Sequence, residues 1–450
     1  MLSVAACHHA ERAAAPAVIP EAGRHHDDVE AQIQPYLDGE IVSGIVVGLY
    51  DAGKVETYGF GKGPNHAPPD ATTLFELGPA TKVYTAILFA DAVQRQEVAL
   101  ETPVADLLPP GVTMPTKNNV EITLRQLAVH ASGLPRIPPS ISAKGPTADP
   151  FGGYGEDALY RDLVRTELAV VPNTTVLYSD YATGLLGFLL GKKLGGGYAK
   201  LVADRIAKPL ELRDTFVGTP PGLAARRATG TNDDLAPVAA WTYDALAGAG
   251  GIVTSARDQL KLIDAELDAV VGSTAPLRRA MKLTQEPVLD RTGDNEGFGW
   301  NIDAAGRYWH NGNTGGFHGF LGFDPKTKRG VVILASTATS LLDRLGDTMY
   351  KVLDGQPPPP VKFATAAQLA PLVGNYAIGD TKIAVVADKN RLYLEGQGEP
   401  RHRLVPISDH EMWIEVLGTV AIFQKEGDKV ARVVFGVGDH TLTANRVDAK

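Results

Sequence analysis

The feature that most constrains this chain is the placement of its strand-forming segments, which sit near the start and again far along the sequence with helix-forming residues between. Residues 41–50 (IVSGIVVGLY) and 55–60 (VETYGF) are rich in β-branched and aromatic side chains. The turn Asp51-Ala52-Gly53-Lys54 joins them, so the pair reads as a hairpin. Strand character returns at Tyr308-Trp309, at 317–323 and at 331–336. A helix is expected from Pro79 to about Arg95, and mixed helix and loop to about Ala240. Strands from both ends around a helical middle predict an α/β (α+β) domain whose antiparallel sheet is flanked by helices. The run Gly355-Gln356-Pro357-Pro358-Pro359-Pro360 is extended and semi-rigid, and closes that unit. Beyond it, short strand candidates at 381–386, 391–395, 420–423 and 430–435 alternate with Gly, Asp and Asn turns, which predicts a small β-barrel or sandwich. The expected organisation is a tether at 1–28, an α+β domain with a helical subdomain at 29–354, a linker at 355–364 and an all-β domain at 365–450.

The chain has 450 residues, 44% of them hydrophobic, enough for a large buried core. Forty-three basic and 52 acidic side chains leave a net charge of −9, which argues against a nucleic-acid or anionic-membrane partner. No apolar run approaches the roughly 20 residues that span a bilayer. Cys7 is the single cysteine, so no intramolecular disulfide can form. Val4-Ala5-Ala6-Cys7 resembles the end of a bacterial lipoprotein signal, without its charged and most of its apolar part. On that reading Cys7 is a lipid anchor and the protein is periplasmic or envelope-bound; a chance cysteine in an Ala-rich start is the alternative. His25-His26 before Asp27-Asp28 could hold a metal, but in such a segment a solvated tail is the expected reading.

No Gly-x-Ser-x-Gly elbow, P-loop or His-Glu-x-x-His helix is present, and neither a cofactor nor a metal is expected. Three constellations stand out in order: Phe75-Glu76-Leu77-Gly78-Pro79-Ala80-Thr81-Lys82, Tyr178-Ser179-Asp180, and His310-Asn311-Gly312-Asn313-Thr314-Gly315-Gly316-Phe317. Together they resemble the Ser-x-x-Lys, Tyr-x-Asn and Lys/His-x-Gly motifs of serine β-lactamases, penicillin-binding proteins and their esterase and peptidase relatives. The stretches 123–135 (TLRQLAVHASGLP), 248–258 (GAGGIVTSARD) and 297–300 (GFGW) resemble the class C-like branch. The trailing β module resembles the lipocalin-like domain that often follows it.

The resemblance implies a pocket for a small-molecule, peptide-like or acyl ligand. Lys82 and Tyr178 take the acid/base roles, with the lysine's pKa lowered by burial. Asp180, His310, Asn311, Gly312 and Asn313 line the substrate site. Asp180 stands where the family has Asn, and adds negative charge. Pro79 stands where the family has its nucleophile. It has no hydroxyl to acylate and no N–H for the oxyanion hole, leaving the Asn313 N–H as the expected single donor. Proline nonetheless suits a helix start.

Hydrolysis is therefore expected to be absent or strongly impaired. Two alternatives stay open: a serine hydrolase of esterase, D-aminopeptidase or β-lactamase type in a form with serine at 79, and a non-serine acid/base catalyst using Lys82 and Tyr178. Ser179 is the best spare hydroxyl but lacks oxyanion geometry, and Thr81 points to a different face. Ser132 and His130 are read as turn formers.

Overall fold

The computed structural model describes residues 23–143, 148–272, 274–287, 295–437 and 440–447. Cys7 and most of the expected tether lie outside them. A helix, α1 (His26–Asp38), precedes the hairpin β1 (Gly44–Asp51) and β2 (Lys54–Gly61). The helical middle holds α2 (Thr81–Gln94), α3 (Asp180–Leu194) and α4 (Ala256–Val271). Strands β3 (Tyr308–Asn313), β4 (His318–Asp324) and β5 (Arg329–Ala335) follow, then α5 (Arg344–Leu353).

The sheet has the order β2-β1-β5-β4-β3 and is extended past β3 by two short strands, Asn301–Ile302 and Asn295–Glu296. β1 and β5 run antiparallel in the register Ile45↔Ala335 to Asp51↔Arg329, so the two ends of the domain do close one sheet. Successive strand residues face opposite sides. Val46, Leu321, Phe323, Val332 and Leu334 pack with Leu260 and Ile263 of α4 in one core. Ile45, Val47, Leu49, Val331 and Ile333 join Val29, Ile33 and Tyr36 of α1 and Leu345 and Met349 of α5 in the other. Both faces are covered, which explains why β1 reads as a nearly unbroken apolar run.

Within the segment expected as a tether, the described residues from 23 on pack against the domain. His25 is 4% exposed, with its Nδ1 3.1 Å from Glu56 and its N–H donated to Tyr58 Oη at 3.2 Å. It anchors α1 to β2, where a solvated tail was expected.

After the proline run, eight strands close a barrel: β6 (Gly374–Ile378), β7 (Thr381–Asp388), β8 (Arg391–Gly396), β9 (His402–Pro406), β10 (Glu411–Ile414), β11 (Thr419–Glu426), β12 (Lys429–Val437) and β13 (His440–Arg446). Closure leaves no free sheet edge. Arg391 donates to the Glu40 carboxylate at 2.6 Å and to the Asp234 carbonyl at 2.8 Å. Arg403, 3% exposed, donates to the carbonyls of Glu40, Gly39 and Asp233. These arginines clamp the barrel to the preceding domain. No described helix is long and apolar enough to cross a membrane.

Candidate active site

The site is built where α2, α3 and the edge of β3 meet. A 3₁₀ turn, Gly78–Ala80, feeds α2, which is buried on all sides from Thr81 to Ala92. A helix apolar all round belongs inside a core, so Lys82 on its first turn is a buried lysine, 1% exposed. Gly78 has φ +57°, and a Cβ there would sit 3.2 Å from the carbonyl of Asn313. A Cβ on Gly312 would lie 2.7 Å from both the Leu77 carbonyl oxygen and the Pro79 nitrogen. Two glycines thus let β3 lie directly against the half-buried Pro79.

The register of β3 on β4 fixes what that edge presents. Thr314 donates to the Phe317 carbonyl at 3.0 Å, so the next pair, Asn313↔His318, is of the non-hydrogen-bonded kind. The N–H and C=O of Asn313 therefore face away from β4, toward the Gly78–Ala80 turn. Pro79 offers no N–H beside them.

The side chains of Asn311 and Asn313 depart from the sequence reading. Residues alternate along a strand: His310 and Gly312 face Lys82 and Pro79, whereas Asn311 and Asn313 face the other side. Asn311 donates to Asp343 at 2.9 Å. Asn313 donates to Ser340 Oγ at 2.9 Å and accepts from His318 Nδ1 at 2.8 Å. Ser340 in turn donates through its N–H and Oγ to Glu415 of the barrel at 2.9 and 2.8 Å. Only the backbone of Asn313 is left for the site.

Lys82 Nζ donates to Asp180 Oδ1 at 2.6 Å and to the Ala249 carbonyl at 3.0 Å, and lies 4.7 Å from the Tyr178 ring centroid. Burial alone would lower the lysine's pKa, but Asp180 and Tyr178 outweigh it and hold the ammonium above its usual value. This reverses the expectation of a lowered lysine: Asp180, in place of an amide, fixes the proton on Lys82. Burial raises the Tyr178 phenol, and Lys82 offsets this only in part.

His310 donates Nδ1–H to the Asn311 carbonyl at 2.6 Å, and burial followed by the field of Lys82 pushes its pKa down to about 4. The third motif is thus uncharged at neutral pH. His130, read from sequence as a turn former, is also part of the site. Its Nδ1 accepts the Ser179 N–H at 3.1 Å, its ring lies 4.6 Å from that of Tyr178, and burial lowers its pKa to about 3. No local signal could have shown this, because the contact spans 49 residues.

The three hydroxyls that the sequence offered as spares each make a backbone hydrogen bond. Ser179, fully buried, caps α3 by accepting the Ala182 N–H at 3.0 Å while donating to the Pro135 carbonyl at 2.7 Å. Thr81 accepts the Ile252 N–H at 3.0 Å, and Ser132 accepts that of Leu134 at 3.3 Å. Arg136 is exposed, with its guanidinium 5.1 Å from the Tyr178 ring centroid and no acidic partner among the described residues.

An antiparallel sheet against a buried helix, with Lys82, Tyr178 and the β3 edge converging at the helix start, is the architecture of the serine β-lactamase and penicillin-binding-protein superfamily. The chain belongs to the beta-lactamase family, whose model matches residues 29–356. It is 26% identical over 351 residues to the beta-lactamase of Escherichia coli K12, covering 69% of this chain and 88% of the relative. It is 25% identical over 374 residues to the D-alanyl-D-alanine-carboxypeptidase/endopeptidase AmpH of the same strain, covering 77% and 93%. A beta-lactamase of Pseudomonas fluorescens is 25% identical over 346 residues, covering 68% and 92%.

Proposed function

We propose that this chain is a non-acylating member of its family that binds peptide-like or acyl ligands in the cell envelope. The observation that carries this reading is Pro79, three residues before Lys82, where the relatives' chemistry calls for a hydroxyl and an N–H. The backbone hydrogen bonds of Thr81, Ser132 and Ser179 support it, because each hydroxyl has a structural role in its own turn or helix start. The Asn313 N–H remains to hold a ligand carbonyl oxygen, and the exposed Arg136 beside Tyr178 is suited to a ligand carboxylate. Acid/base catalysis by Lys82 and Tyr178 without a serine has less support, since the ion pair with Asp180 keeps the lysine protonated.

A second reading rests on the convergence of Lys82, Tyr178 and His310 at one point: a form of the chain with serine at 79 is an acyl-transfer enzyme. One experiment separates the two. The chain and its Pro79→Ser variant are exposed to a fluorescent penicillin and a fluorophosphonate, then weighed intact. The expected result is no adduct on the chain and slow labelling of the variant. A stoichiometric adduct on the unaltered chain would overturn the proposal. Labelling of neither would remove the second reading.

A further inference from the structure

The barrel lies outside the residues that the family model matches, yet its bonds reach the candidate site. Val405 of the barrel joins Leu345 and Met349 of α5 in the second sheet core, and Trp413 packs against it. The turn after β10, Glu415–Leu417, carries a carboxylate onto Ser340, in the segment between β5 and α5. That carboxylate accepts the Ser340 N–H at 2.9 Å, the Ser340 Oγ–H at 2.8 Å and the Trp413 Nε1–H at 2.6 Å.

Asn313 needs an anchor more than its neighbours do. It is the last residue of β3, and its pair with His318 is of the non-hydrogen-bonded kind, so no ladder bond to β4 holds its own peptide groups. The side chain holds them instead. Ser340 Oγ gives its proton to Glu415 and is therefore left to accept from Asn313 Nδ2, at 2.9 Å. The amide oxygen accepts from Nδ1 of the fully buried His318 at 2.8 Å. Both ends of the amide are thereby fixed, and its orientation is dictated from the barrel. Hydrogen bonds in series polarise one another, and a charged acceptor at the end strengthens the chain.

We propose that Glu415 is a positioning residue for the candidate site: acting through Ser340, it holds the Asn313 N–H where that group meets a ligand carbonyl oxygen. This role rests on the ligand-binding reading above and extends it, because the pocket is then complete only with the barrel docked. Without the carboxylate, the Ser340 hydroxyl has no fixed direction for its proton, and the Asn313 side chain is released. The peptide plane at the end of β3 then turns, and the N–H loses its aim.

The test compares the full chain with Ser340→Ala, Glu415→Gln and the double variant, by two readouts. Hydrogen–deuterium exchange with mass spectrometry follows the peptides carrying the flanking amides of Gly312 and Thr314. Fluorescence polarisation follows non-covalent binding of a fluorescent penicillin. Either single substitution should speed exchange at those amides about tenfold while β12 exchanges as before. Each should weaken penicillin binding about tenfold. Because both cut one chain of bonds, the double variant should weaken it less than about twofold further, whereas two separate structural losses would multiply. Ser340→Ala leaves Glu415 its bonds from the residue-340 N–H and from Trp413, and carries the test if Glu415→Gln loosens the barrel. Unchanged exchange at Gly312 and Thr314, unchanged affinity, or multiplying losses would overturn the proposal. If the unaltered chain binds no penicillin while exchange responds as expected, the positioning of Asn313 stands and the ligand-binding reading falls.

Discussion

Replacing Asp180 with Asn tests what holds the centre of the site together. The change keeps the shape of the side chain and an oxygen that can accept from Lys82, but leaves a buried ammonium, 1% exposed, with only neutral partners. Breaking a buried ion pair by removing one partner costs about 3–5 kcal/mol. The cost has a ceiling, because Lys82 can shed its proton: at pH 7, moving a lysine from its ordinary 10.5 costs about 4.8 kcal/mol. The pH dependence supplies the sign. In the unaltered chain the folded-state pKa of Lys82 lies above 10.5, so the stabilisation is whole below pH 10.5 and is lost only above it. In Asp180→Asn burial acts without its counterweight and brings the folded-state pKa below 10.5. The folded state then binds fewer protons than the unfolded one, and stability climbs with pH up to 10.5. Urea unfolding followed by far-UV circular dichroism should therefore show a deficit of about 3–5 kcal/mol at pH 7. By pH 10 it should narrow toward about 1 kcal/mol, the part left from the loss of a carboxylate in the first turn of α3. A deficit below about 1 kcal/mol at pH 7, or one equal at both pH values, would refute the reasoning.

The same ion pair sets the rate at which a restored nucleophile reacts. Pro79→Ser/Asp180→Asn should label with a fluorophosphonate about 100-fold faster than Pro79→Ser alone, because the lysine becomes free to act as a base; equal rates would show that Asp180 does not hold it back. Glu266 is fully buried and hydrogen-bonded to Gln285 at 2.6 Å, and burial raises its pKa to about 8. Stability should accordingly fall as pH rises from about 5 to 8, and Glu266→Gln should abolish that fall and gain on the order of 3–4 kcal/mol at pH 8, as read by urea midpoints across the range. Arg403→Ala strips charged donors from three carbonyls at the barrel clamp and should lower stability by at least about 3 kcal/mol; an unchanged midpoint would mean that the barrel is held elsewhere.

Much of this arrangement could be read from the residues. The β-branched runs placed β1, β2, β4 and β5, and their separation along the chain implied a sheet closed from both ends. The motif spacing singled out Lys82, Tyr178 and His310, which the fold brings around Pro79. α1 escaped notice because its polar sequence has neither a strong apolar stripe nor a capping side chain. The period of two along β3 did contain the fact that Asn311 and Asn313 turn away from Gly312, but a motif read as a contiguous string hides it. The raised pKa of Lys82 was foreshadowed by the acid at 180, although its sign required knowing that the two atoms stand 2.6 Å apart. His130 could not be found from sequence, since its role comes from a tertiary contact with Tyr178 and Ser179.

The pairing of β1 with β5 also governs how the molecule is made. During synthesis from the N-terminus, β1 and β2 emerge early, and the edge that β1 offers, Gly44 to Asp51, finds its partner only when residues 329–335 have been added. For most of translation an apolar strand with unpaired N–H and C=O groups is on display, the kind of edge that recruits a strand from another chain. Lower growth temperature or added chaperones should therefore raise the yield of this protein by covering that edge until its partner is made.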